Sequence, residues 1–150
     1  MTIQSGGKQL LLHGLSMILA GLVWGIFIPM TPFPRLALGA HIQYEVNGML
    51  LILIALVLLK VPSNVGPKTI GLMIVSAWLT WFMLFTETAN AWWGTNQVLP
   101  IAAQQAGATG AAPWQEIIVK LGHIPVSLVL ILSIALLIVG IARHRNSDPS

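Results

Sequence analysis

The chain has 150 residues, of which 56% are hydrophobic and only 7% charged, and its mean hydropathy is +0.85. Soluble domains carry about 25% charged residues, so this composition cannot clothe a water-soluble globule, and it excludes intrinsic disorder as well. The net charge of +3 comes from seven Lys and Arg that stand singly, which excludes a nucleic-acid-binding patch and leaves them as membrane-topology markers. The lack of cysteine excludes disulfides, thiolate nucleophiles, iron–sulfur clusters and covalently attached haem.

A membrane-crossing helix needs ~20 mostly apolar residues, and the sequence divides into four such stretches. The expected fold is an all-α integral membrane four-helix bundle, one domain over residues 1–150, with spans at about 9–29, 36–59, 68–88 and 117–142. The first stretch is too long for a signal-peptide apolar region and lacks a cleavage triplet, so it reads as a retained helix. Thr31-Pro32-Phe33-Pro34 breaks the chain after it. Val61-Pro62-Ser63-Asn64-Val65-Gly66-Pro67 breaks it again after the second span. The third connection, 89–115, is long and holds Trp92, Trp93 and Trp114, residues expected at a water–lipid boundary.

Four crossings put both termini on one side. Lys8, Lys60, Lys68, Arg143 and Arg145 fall there, against Arg35 and Lys120 opposite. The positive-inside rule then gives a multi-pass protein of a bacterial inner membrane with both termini cytoplasmic and the Trp-rich loop outward. Gly21 and Gly25 have the small-xxx-small spacing that lets another helix approach closely, a weak pointer to oligomerisation.

The most informative stretch is the start of the second span. Val46 to Leu59 would cover only ~21 Å at 1.5 Å per residue, short of a hydrocarbon layer of ~30 Å. The helix must therefore reach back through His41, Gln43, Tyr44, Glu45 and Asn47, carrying them into the outer half of the bilayer. Ionisable groups there are costly unless paired or facing a cavity, which makes the cluster a candidate site. Helical spacing puts His41, Glu45 and Gly48 on one face, with Asn47 about 120° round. Glu45 is the one acid expected inside a span's necessary length. The bland reading pairs it with Arg35 or Lys120 and hydrogen-bonds His41 to backbone.

Other residues invite the same weighing. His123 lies at a depth near that of His41 and reads as a second axial ligand or, more simply, as an interfacial histidine. His13 is expected near the cytoplasmic end of the first span in a structural role. Glu87 reads as a proton-handling group at a cavity mouth or, more simply, as a solvated carboxylate at the interface. Trp78, Trp81 and Phe82 form either an aromatic wall for a planar ligand or ordinary packing. There is no phosphate-binding loop, His-Glu-x-x-His motif or Ser/His/Asp set, so hydrolase and nucleotide-driven functions have no residues to carry them.

Two stretches resemble the small membrane isomerases that include styrene oxide isomerase and hydroxylaminobenzene mutase. The first is His13-Gly14-Leu15-Ser16-Met17-Ile18, similar to a His-Gly-x-x-Met-Ile opening. The second is Ala40-His41, five residues, then Asn47-Gly48-Met49, which follows the pattern Ala-His-x5-Asn-Gly-Met. Trp93-Gly94, Leu99-Pro100-Ile101-Ala102 and Trp114-Gln115-Glu116 resemble the mutase branch. The resemblance implies a homotrimer with haem b near the subunit interfaces, His41 as axial iron ligand and Asn47 lining the site of a small aromatic substrate. The family's third-span tyrosine is missing from Phe82-Met83-Leu84-Phe85, and Tyr44 is the only tyrosine in the chain.

The leading expectation is therefore a redox-neutral rearrangement of an arylhydroxylamine or an aryl epoxide, with ferric haem b as Lewis acid. Asn47, Tyr44 and Glu45 are the candidate catalytic residues, Glu45 holding the His41 imidazole N–H. Two other classes stay open. One is an electron carrier with haem between His41 and His123, and the other is a cofactor-free transporter subunit.

Overall fold

A computed structural model of the chain describes residues 1–145, the side chain of Arg145 excepted; that topology marker therefore lies outside the described part. The order is α1 (Ile3–Phe27), a 3₁₀ turn (Ile28–Met30), α2 (Pro34–Lys60), α3 (Pro67–Trp93), α4 (Pro100–Gln105) and α5 (Pro113–Arg145). Four of these helices are long and apolar enough to cross a membrane.

The ends are set by local chemistry. Thr2 caps α1, its hydroxyl accepting from the Ser5 amide while the Ser5 side chain answers the Thr2 backbone. The helix therefore starts six residues before the expected Gln9. Proline occupies the first turn of α2, α3 and α4, where its missing N–H would be unbonded anyway. Pro113 opens α5 in the same way. Gly94 ends α3 at φ 68° with its amide on the Asn90 carbonyl. This left-handed conformation suits glycine, and α3 consequently runs to Trp93 rather than Thr88. The loop is shorter than expected and contains the small helix α4.

α1 and α2 form one antiparallel pair, α3 and α5 a second, and α2 packs on α3 to join them. Leu10, Met17, Leu51, Ile70, Met73, Leu84 and Val126 fill the seam. Leu22, Ile26, Leu128 and Ile131 point outward, as expected for faces solvated by lipid rather than water.

The α3–α5 connection is held by one buried carboxylate. Glu116, in the first turn of α5, accepts from the amides of Asn96 at 3.0 Å, Gln97 at 3.2 Å and Ala111 at 3.3 Å. Its charge also sits at the positive end of the α5 dipole. Arg35 leans over the same loop, donating to Gln105 at 2.8 Å. Glu116→Ala is expected to release the loop. Hydrogen exchange at the Asn96, Gln97 and Ala111 amides should then accelerate by about tenfold or more, since a hydrogen bond to a charged group contributes roughly 1.5–3 kcal/mol. Unchanged protection would remove Glu116 from this role.

Candidate active site

The contact between α1 and α2 is made by glycines. A Cβ on Gly14 would lie 2.6 Å from the Gly48 carbonyl oxygen, and one on Gly48 would lie 2.8 Å from the Gly14 carbonyl oxygen. The helices thus touch backbone to backbone at about mid-span. Further along α1, Gly21 makes room for Tyr44 and Glu45, and Gly25 for the His41 ring. The Gly21/Gly25 spacing is used inside the chain to seat the polar start of α2, rather than being left over for a neighbour.

His41 is half-buried, with Nδ1 2.8 Å from the Gly21 carbonyl oxygen. A carbonyl only accepts, so Nδ1 carries the proton and Nε2 of the neutral ring keeps its lone pair. The imidazole N–H is therefore oriented by backbone, as the plainer reading of this stretch has it, and not by Glu45 as the catalytic reading expects. Glu45 has no arginine partner either, since Arg35 turns to Gln105. Its Oε1 is buried without a hydrogen bond beside Gly21.

Asn47 is buried. Its amide group donates to the Gln43 backbone carbonyl at 2.8 Å and to the Gln43 side-chain oxygen at 2.9 Å. Both amide hydrogens are thereby spent, which leaves Oδ1 as the working atom, an acceptor. Gln43, part of the polar cluster at the start of the second span, is a positioning residue for Asn47, and its spacing of four from Asn47 makes that helical contact legible. Tyr44 turns the other way, toward α3. Its ring meets Trp81 edge-on at 6.1 Å, and the Thr88 hydroxyl stands 3.4 Å from its oxygen. Of the expected set, the structure gathers His41 and Glu45 against α1, while Tyr44 faces α3 and Asn47 folds back on Gln43.

The remaining histidines differ in what they have free. Gly122 lets α5 approach Thr86 of α3, and the next residue, His123, meets Glu87 with Nε2···Oε1 at 2.6 Å. Its Nδ1 lies 2.8 Å from the Val119 carbonyl oxygen. Both ring nitrogens are committed, so His123 cannot join His41 in holding iron, and the paired-ligand electron carrier loses its second ligand. Glu87 is 2% exposed. It is a buried partner rather than a solvated interfacial carboxylate, and it is a second acid inside the spans. His13 lies beside Gly14 at mid-span, not near the cytoplasmic end. Its Nδ1 accepts from the Trp81 indole N–H at 3.0 Å, so the ring proton sits on Nε2.

Among the described residues, no three His, Asp or Glu side chains gather as a metal site. Of His13, His41 and His123, His41 alone combines a bare ring nitrogen with a backbone-anchored N–H, the arrangement typical of metal-ligating imidazoles.

The family profile described as styrene oxide isomerase matches residues 7–142. The chain is 30% identical over 146 residues to hydroxylaminobenzene mutase HabB of Ectopseudomonas oleovorans, covering 94% of this chain and 86% of that protein. It is 33% identical over 98 residues to hydroxylaminobenzene mutase HabA of the same organism, covering 64% of this chain and 71% of that one. No solved structure is matched. The family profile and the HabB match span the helices that carry the glycine contact and the His41–Asn47 stretch, and they replace the transporter reading with an enzyme: the chain belongs to the styrene oxide isomerase family and is an isomerase built on four helices long and apolar enough to cross a membrane.

Proposed function

We propose that this isomerase rearranges arylhydroxylamines to aminophenols at a haem b held by His41. The observation that carries the reading is the His41 tautomer, fixed by the Gly21 carbonyl so that Nε2 is ready to ligate. The mutase names of the HabA and HabB relatives favour the hydroxylamine over the epoxide. So does Met83, which stands in Phe82-Met83-Leu84-Phe85 where the resemblance to styrene oxide isomerase implies a tyrosine.

The reaction is redox-neutral. The N–O bond breaks, a C–O bond forms on the ring, and the ring proton is lost as nitrogen regains one. Bound ferric haem supplies Lewis acidity toward the substrate oxygen. The chain's own contributions are positional. Gly21 holds His41 in one orientation, and Gln43 presents Asn47 Oδ1 as an acceptor for a substrate N–H or O–H. The apolar helices exclude water, which would otherwise trap an electron-poor ring. Ile42, Val46, Met49 and Leu53 form an exposed stripe on α2 beside His41, the face we assign to a second copy in a homotrimer. The positive-inside count supports cytoplasmic termini in a bacterial inner membrane.

The test is the optical spectrum and product analysis of detergent-purified protein. The wild type is expected to show a Soret band and to convert phenylhydroxylamine to an aminophenol faster than it converts styrene oxide to an aldehyde. His41→Ala should lose the band and fall to the uncatalysed rate while eluting as the wild type does on size exclusion. Retention of both band and activity would overturn the assignment of His41. Preference for styrene oxide would overturn the substrate alone.

A further inference from the structure

A groove of about 850 Å³ runs between α1 and α3, lined by His13, Ser16, Trp78, Trp81, Phe82 and Phe85 among others. Its size falls within the range of about 300–1,000 Å³ usual for small-molecule sites. The wall is mostly aromatic, and Trp78 and Phe85 are strongly exposed along it.

Three polar side chains of α1 line it, Gln9, His13 and Ser16, and His13 is the one whose ring is held in place by neighbours across the groove. Trp81 donates its indole N–H to His13 Nδ1, and an indole can only donate. The neutral His13 ring therefore carries its proton on Nε2. Trp78 packs edge-on to the ring, centroids 4.8 Å apart at 82°, and holds its plane. No described residue accepts from Nε2. A donor that faces hydrocarbon with no partner is costly to leave bare.

We propose that this groove binds a small neutral aromatic compound bearing a hydrogen-bond-accepting oxygen, with its ring among Trp78, Phe82 and Phe85 and its oxygen on His13 Nε2–H. The donor selects the occupant. Haem iron is excluded because Nε2 is protonated, and a saturated acyl chain leaves the donor unmet. An anion finds no Lys or Arg among the lining residues. The groove is separate from His41, which packs against Gly21 and Gly25 some ~12 Å and more along the α1 axis from His13. Arylhydroxylamines and aminophenols belong to the class it selects. The groove would then gather the aromatic reactant from the lipid, a role that rests on the proposed function, whereas the binding itself does not.

The test uses the full-length protein in lipid nanodiscs with benzophenone, a neutral aryl ketone that inserts into nearby C–H bonds on irradiation. Saturable adducts are expected within residues 9–16 and 78–85. Acetophenone should suppress them, and ethylbenzene, which matches its ring but has no acceptor, should not. His13→Phe should lower labelling about fivefold, the loss of roughly one net hydrogen bond, and His13→Gln, which keeps a donor, should recover part of it. Labelling spread along all lipid-facing helices, equal competition by ethylbenzene, or no adduct in the groove because lipid or a second copy fills it would each overturn the proposal. None of these readouts requires haem or turnover, so the proposal stands or falls apart from the catalytic reading.

Discussion

Gly48→Leu is expected to separate α1 from α2 and abolish the folded isomerase. The Cβ alone would come within 2.7 Å of Ile18 Cγ1, 2.8 Å of the Gly14 carbonyl oxygen and 3.2 Å of the Ile18 amide nitrogen. A side chain can rotate away, but two of these three atoms are backbone inside a helix and cannot move without moving α1. Overpacking in a core that can adjust costs about 1–3 kcal/mol. Here there is no adjustment short of parting the helices, so the loss should exceed that range. Parting them also withdraws the Gly21 carbonyl from His41 Nδ1, so the effect reaches the site about two turns away. Gly71 is the matched control: it is helical, and a Cβ there meets nothing within 4 Å. Gly71→Ala should be neutral or stabilising by up to about 1 kcal/mol through helix propensity. Thermal unfolding and size exclusion of both variants decide the matter, and a Gly48→Leu protein that melts like the wild type would refute the backbone contact.

Glu87→Ala is expected to cost about 3–5 kcal/mol, the usual penalty for removing one member of a buried ionisable pair. The pair shares one proton. His123 Nδ1–H donates to Val119, and the 2.6 Å separation of Nε2 and Glu87 Oε1 needs a hydrogen between them. Whether that proton is drawn on the ring or on the acid, the pair is neutral overall and tolerable in a membrane. Alanine at 87 leaves a bare ring nitrogen in the core. Leucine at 123 leaves a buried carboxyl whose other oxygen, Oε2, already lacks a partner. Replacing both by leucine removes the mismatch, so the double variant should recover most of the loss. A double-mutant cycle in thermal stability measures this. Additive single effects, with no recovery in the double variant, would show that the two side chains do not depend on each other.

Much of this architecture is legible in the sequence because breakers and apolar length are local signals. Pro32, Pro34, Pro62 and Pro67 mark the first two turns, and the short apolar run after Val46 draws the polar residues at 41–47 into the membrane. What a local signal cannot carry is pairing between spans. Nothing near Glu87 announces His123, which lies 36 residues on, so the acid reads as solvated when it is buried. The Gly21/Gly25 spacing shows that α1 admits a close neighbour but not that the neighbour is α2 of the same chain. His13 reads as cytoplasmic-side because the Thr2–Ser5 capping box, which starts α1 at Ile3, lacks the usual Glu or Gln at its third position. The His41–Asn47 spacing is visible at once, whereas the tautomers that separate three chemically identical side chains follow only from what each ring nitrogen touches.

The Glu87–His123 pair also bears on how the chain enters its membrane. Synthesis runs from the N-terminus, so α3 is complete before the residues of α5 exist, and Glu87 reaches hydrocarbon with its future partner still unmade. An ionised acid costs on the order of 2.5–3.5 kcal/mol at the centre of a span and less toward its end, where Glu87 stands, and that cost favours entry as the uncharged acid. The proton the finished pair shares is then one that α3 takes in with it, and the late arrival of α5 gives that proton a second site to occupy. The two helix pairs are unequal in this respect: the first closes on glycines and can form as soon as both its helices are present, while the second holds a polar group in waiting until the last span is inserted.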